Sequence, residues 1–165
     1  MVTRLAASIT LSVAVMDLEG NKQSLTLAKP AQLSPRQAAQ RANDRGLLLY
    51  RDRKYAEAEA DFTEALRLKP DFALAANNLG FVFFRRQQYA EAIRWFENTV
   101  TIDPDRAIAY FNLAEAAEKK GDVSKARAAY VRFIELQPRG TSTELAKAAI
   151  ERLGEPSPVA TPSKK

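Results

Sequence analysis

Apolar side chains recur at intervals of three and four residues from about position 39 to position 153, the spacing that gathers them on one face of an α-helix. The pattern is clearest between 73 and 106. There Ala76, Leu79, Gly80 and Phe83 make one stripe, Arg86 to Gln88 make a polar break, and Ala92, Ile93, Phe96 and Val100 make a second stripe. A helix, a short turn and a second, antiparallel helix are predicted. The preceding stretch repeats the plan with Gly46, Leu49, Tyr55, Ala58, Phe62 and Ala65, and the following one with Tyr110, Leu113, Ala114, Ala126, Tyr130 and Phe133. Pro70, Pro104 and Pro138 stand 34 residues apart. Each lacks an amide donor and disfavours helix in the residue before it, so each closes one pair and begins the turn to the next. The units are 39–72, 73–106 and 107–140. None can bury its apolar face alone, so the three must stack, leaving an extended groove suited to holding another chain.

Capping chemistry bounds this array. Ser34, Pro35 and Gln37 supply an N-cap, a first-turn proline and a reciprocal capping side chain. Gly121 and Asp122 mark the internal turn of the third unit. Thr141 and Glu144 read as a further capping box, and Leu145, Ala148, Ala149 and Ile150 form one apolar stripe before Gly154, a C-terminal cap. A helix over about 142–153 is therefore expected to lid the last unit, completing a domain over 34–154. Residues 155–165, rich in proline and poor in large apolar side chains, are expected to be a disordered tail. Residues 1–33 admit two readings. Arg4 and the apolar stretch after it resemble a signal-peptide core with Ser12 and Ala14 before a cut, which implies an exported or periplasmic protein. Alternatively, Ile9, Leu11, Val13 and Val15 alternate, Glu19 to Lys22 make a turn, and Leu25 and Leu27 resume the alternation as a hairpin, leaving a cytoplasmic protein.

Composition narrows the chemistry. The 165 residues contain no cysteine and no histidine, which removes disulfides, thiolate nucleophiles, most zinc sites and the commonest general base. No metal, cofactor or catalytic residue is expected. Glu115 and Glu118 share a helical face, yet no nucleophile or metal set accompanies them. The net charge of +5 arises partly at Arg4, Lys22, Lys29, Lys164 and Lys165, outside the repeats, where basic and acidic residues otherwise alternate.

In the second unit Ala76, Leu79, Gly80, Phe83, Ala92, Phe96 and Pro104 match the tetratricopeptide repeat pattern. The first unit keeps Gly46, Ala58, Phe62 and Pro70 but has Arg45 where leucine is usual, and the third keeps Leu113, Ala126 and Pro138 with Ala114 and Tyr130 in the glycine and aromatic places. The chain thus resembles the tetratricopeptide repeat family over about 35–154. The resemblance implies an all-α fold, a right-handed α-solenoid of three helix-turn-helix repeats plus a C-terminal capping helix. It also implies a concave face lined by the first helix of each pair, and work as a noncatalytic scaffold, adaptor or assembly factor.

Off the packing stripe, the first helices carry Asn43, Leu47, Tyr50 and Arg51, then Leu74, Asn77, Phe81, Phe84 and Arg85, then Ile108, Phe111, Asn112 and Glu115. These are the candidate groove residues. Phe81, Phe84 and Phe111 are large apolar side chains that the repeat does not need for its own packing, so they read as anchors for a partner. Asn43, Asn77 and Asn112 form a ladder able to donate to and accept from an extended peptide, and Arg51 and Arg85 suit carboxylates. Cover by the N-terminal segment or a neighbouring helix is the structural alternative. Some family members hold a chaperone's C-terminal carboxylate in a clamp of lysine, asparagine and arginine. The matching places here hold Asn43, Leu47, Asn78, Ile108 and Phe111, of which only Asn78 agrees, so no such clamp is expected. The expected partner is a protein or peptide segment. Polyanion or nucleic-acid binding through Arg51, Arg53, Lys54, Arg85 and Arg86, and self-association, are the alternative readings.

Overall fold

The structure, a computed structural model, describes residues 12–16, 22–26 and 33–154. The chain divides into two compact units, one ending at Leu33 and one beginning at Ser34. In the first, β1 (Ser12–Met16) pairs antiparallel with β2 (Lys22–Thr26), with Val13 opposite Leu25. Ala14 lies within β1. The part of the signal-like stretch before Ser12, together with Ile9, Leu11 and Leu27 of the alternating pattern and the tail 155–165, lies outside the described residues.

The second unit is an all-α solenoid of seven helices. They are α1 (Pro35–Arg51), α2 (Tyr55–Leu68), α3 (Ala73–Arg85), α4 (Tyr89–Ile102), α5 (Ala107–Lys120), α6 (Val123–Leu136) and α7 (Thr141–Leu153). Each helix packs chiefly on its neighbours in sequence, so the helices form three antiparallel pairs and a closing helix. Ser34 starts α1 as its pattern requires: the Ser34 amide donates to Gln37 Oε1 at 2.9 Å, and the Gln37 amide donates to Ser34 Oγ at 3.3 Å.

The same backbone solution recurs at every turn. Inside each pair the chain passes through the left-handed region at Arg53 (φ 62°), Gln87 (φ 60°) and Gly121 (φ 86°), which are 34 residues apart. The following amides, of Lys54, Gln88 and Asp122, reach back to Leu49, Phe83 and Ala117 at 2.9 Å. This is a helix C-terminal motif that satisfies otherwise orphaned carbonyls and favours glycine. Between pairs, Lys69, Asp103 and Gln137 adopt extended backbone before their prolines and stop α2, α4 and α6. The capping-box reading of α7 needs correction. Gly140, not Thr141, is the N-cap, and Glu144 pairs with Lys147 at 2.9 Å rather than with a cap amide. Thr143, fully buried, secures this end by donating to the Gln137 carbonyl at 2.7 Å.

Packing is set by a glycine under an aromatic ring. A Cβ at Gly46 would lie 2.8 Å from the Phe62 ring, and one at Gly80 would lie 2.6 Å from the Phe96 ring, so the paired helices approach as closely as only glycine allows. Phe62, Phe96 and Phe133 are fully buried. Arg45, the departure from the usual leucine, has a local reason. In the second and third repeats Leu79 and Leu113 are buried, Leu79 against the layer that includes Phe62 and Leu113 against the one that includes Phe96. Arg45 instead forms a two-point ion pair with the nearly buried Asp61, whose equivalents are Trp95 and Ala129. A polar pair thus finishes the first repeat where the later ones have apolar contacts.

Candidate functional site

The groove candidates occupy repeated places on the first helices, and the structure treats them unequally. The asparagines are turned inward. Asn43, Asn77 and Asn112 are 0 %, 5 % and 3 % exposed. Their amides serve one another: Asn78 Nδ2 donates to Asn43 Oδ1 at 2.9 Å, and Asn112 Nδ2 donates to Asn77 Oδ1 at 2.9 Å. The expected peptide-gripping ladder is therefore corrected to a structural one. A buried amide must be paired, and these side chains pair α1 with α3 and α3 with α5, fixing the register of the stack. The links end at the third repeat, where Phe111 takes the acceptor place and Ala146 of α7 the donor place.

The aromatic anchors also need correction. Phe81, Phe84 and Phe111 are half-buried rather than freely displayed, because each rests edge-on against its own repeat's second helix. Phe81 meets Phe96 at 5.5 Å between centroids, Phe84 meets Tyr89 at 5.6 Å, and Phe111 meets Tyr130 at 5.6 Å and Phe133 at 5.1 Å. Such pairs contribute roughly 0.5–1.5 kcal/mol beyond their buried area, so these rings hold the scaffold as well as facing outward.

Five of the remaining candidates line two clefts: Leu47, Tyr50 and Phe81 one, and Phe111 and Glu115 the other. Leu47 and Tyr50 of α1, Asn78 and Phe81 of α3, and the buried Phe62 of α2 line a largely apolar cleft of about 260 Å³. Tyr50 packs against Tyr55 at 5.7 Å, and burial raises the pKa of its hydroxyl. The Arg85 guanidinium lies beside Tyr55 and Tyr50; polar contact with the Tyr55 hydroxyl raises its already high pKa. Arg85 and its equivalent Arg51 are exposed, and neither forms an ion pair among the described residues.

A second cleft, about 220 Å³, lies between α5, α6 and α7 and includes Phe111, Glu115, Glu118, Tyr130, Leu145 and Arg152. Glu118 is already satisfied, accepting from the Tyr130 hydroxyl at 3.1 Å and pairing with Arg152 of α7. Glu115 has no hydrogen-bond or ion-pair partner among the described residues. Burial, and then the Glu118 charge, push its pKa above the ordinary carboxylate value, with Lys119 opposing. Burial is also the first cause that raises the Tyr130 pKa well above that of a free phenol. Leu74 is half-buried and Ile108 is 45 % exposed; neither lines these clefts, nor does Phe84. Away from the first helices, Glu91, Arg94, Trp95 and Asn98 of α4 line a further cleft of about 250 Å³. No group of acidic residues suited to a metal ion occurs among the described residues, and no described helix is long and apolar enough to cross a membrane.

Two tetratricopeptide repeat profiles match the chain, over residues 43–107 and 83–153, and together they run from within α1 to the end of α7. The chain belongs to the tetratricopeptide repeat family. Among solved structures it resembles the first such domain of Spaghetti (RPAP3) bound to an HSP90 peptide, with TM-score 0.67 and 21% identity over 72% of this chain and 91% of that one. It also resembles the Arabidopsis OM64 domain, with TM-score 0.68 and 19% identity over 72% and 98% of the two chains. The second domain of human RPAP3, in complex with an HSP70 peptide, gives TM-score 0.67 and 20% identity over 72% and 97%. At these identities the likeness establishes the fold. No curated protein matches the chain.

Proposed function

We propose that this protein is a noncatalytic interaction scaffold that holds an extended segment of a partner protein across the first helices of its repeats. The observation that carries the reading is the apolar cleft between α1 and α3, where Leu47, Tyr50 and Phe81 surround a space able to take a large apolar side chain. Two structural relatives hold partner peptides, which supports the same use of this fold here. The carboxylate clamp is not the means. Leu47, Ile108 and Phe111 stand at three of its places, and Asn43 at a fourth is spent on Asn78.

Affinity capture with the full chain tests the proposal, comparing wild type with a Leu47→Ser, Tyr50→Ser, Phe81→Ser variant whose helicity is verified by circular dichroism. A partner retained by wild type and lost by the folded variant is expected. An identical set of partners on both would place the function outside this cleft.

A further inference from the structure

The groove changes chemistry along its length. Leu47, Phe81 and Glu115 hold the same place on α1, α3 and α5, so the floor is apolar at the first two repeats and acidic at the third. Beside the apolar part stand Arg51 and Arg85, exposed cations without an ion-pair partner among the described residues, the latter next to Tyr55. At the other end Glu115 is a half-buried carboxylate with no partner, while its neighbour Glu118 is neutralised by Arg152. Lys119, at the place of Arg51 and Arg85, lines the same cleft and partly offsets the Glu115 charge without forming an ion pair with it. Partly desolvating a carboxylate that has no ion-pair partner costs free energy, so the site favours a cation arriving from outside.

We propose that the bound segment is a polarised peptide: an apolar anchor in the cleft of Leu47, Tyr50 and Phe81, an acidic residue beside it facing Arg51 and Arg85, and a basic residue reaching Glu115. This deepens the scaffold reading and rests on it. The spacing follows from geometry. If each step between successive first helices is taken as about 10 Å, of the order of packed-helix spacing, two steps separate the clefts, and at about 3.3 Å per extended residue the basic group is placed about six residues from the anchor. These cations are not at the places of the chaperone clamp, so a C-terminal carboxylate is not required.

The test uses three synthetic dodecapeptides, blocked at both ends, on a Gly/Ser background with one Leu-Phe anchor. The first has two aspartates beside the anchor and two lysines about six residues away, the second exchanges those charges, and the third replaces them with serine. Fluorescence anisotropy with the full chain is expected to show the first binding about tenfold more tightly than the second at about 50 mM salt, with the difference shrinking to about twofold near 0.5 M. Glu115→Gln and the pair Arg51→Gln, Arg85→Gln, all at surface or half-buried positions, should each remove much of that preference. Equal affinity for all three peptides, lost together in the Leu47→Ser, Phe81→Ser variant, would overturn the polarity and leave the groove. Absence of cleft-dependent binding by any peptide would overturn both.

Discussion

In the first and second repeats a glycine, Gly46 or Gly80, lies under the ring of Phe62 or Phe96, whereas in the third these places hold Ala114 and Tyr130. The turn differs too. Arg53 and Gln87 carry the left-handed conformation in the first two repeats, and Gly121 carries it in the third. On the groove floor Leu47 and Phe81 give way to Glu115, and the asparagine link that joins the first helices stops before α7. One backbone plan therefore tolerates several side-chain solutions at its joints. The differences at glycine and turn positions alter how each pair is held, while the change along the floor alters what the surface can recognise.

Removing an asparagine link should break the joint between repeats most severely. Asn43→Ala leaves the Asn78 amide buried without its acceptor and opens a void, so a loss of about 2–3 kcal/mol is expected in urea unfolding. The same logic applied to Asn77, which accepts from Asn112, predicts a similar loss. A loss within about 0.5 kcal/mol for either would show that the amides do not carry the stacking.

Gly80→Ala sharpens the contrast with the third repeat. The new methyl would press on the buried Phe96 ring at a cost of about 1–3 kcal/mol, offset by about 1 kcal/mol of better helix propensity. The expected net loss is therefore up to about 2 kcal/mol by thermal or urea denaturation. At Ala114 the methyl already fits, so Ala114→Gly forfeits helix propensity without relieving a clash. If Gly80→Ala stabilised the protein, the close approach of α3 and α4 would not depend on glycine.

Turn chemistry gives a smaller effect of opposite sign. Gln87→Gly removes a side chain from a left-handed residue and should stabilise the protein by about 0.5–1 kcal/mol, bringing the second turn toward the third. Gly121→Gln should do the reverse. Equal stabilities would mean that the turns absorb the conformation at no cost.

The smallest effect concerns Glu115. Its pKa is raised in the folded protein, first by burial and then by Glu118, so the folded state binds its proton more tightly than the unfolded chain does. Stability is therefore lost as pH rises from the ordinary carboxylate range to the raised value, and regained on acidification. Glu115→Gln should stabilise the fold at pH 7 by less than about 1 kcal/mol, since the carboxylate still meets water, and the advantage should vanish near about pH 4. A pH-independent difference in Tm would refute this assignment.

Much of the architecture was legible because it is periodic. The 34-residue proline spacing, the stripes that contain Phe62, Phe96 and Phe133, and the capping pair of Ser34 and Gln37 each act locally or recur in phase. The groove was less legible, for a geometric reason. Comparing positions 34 apart aligns residues that occupy the same place, whereas residues that touch across repeats need not be 34 apart. Asn43 meets Asn78, and Asn77 meets Asn112, at a spacing of 35. The signal was present as two asparagine series offset by one. Likewise, Phe81 and Phe111 looked superfluous to packing because the stripe omits them, yet their edges reach Phe96, Tyr130 and Phe133 on the adjacent helix. Arg45 was visible as an anomaly, but its partner Asp61 was not, since only the folded pair brings positions 16 apart into contact.

The most direct test of the account is amide chemical-shift mapping on the isotope-labelled chain as the peptide with aspartates beside its anchor is added. Perturbations are expected to centre on Leu47, Tyr50, Phe81 and Arg85 and to extend to Glu115. Perturbations confined to Glu91, Arg94, Trp95 and Asn98 of α4 would overturn the groove as the binding face.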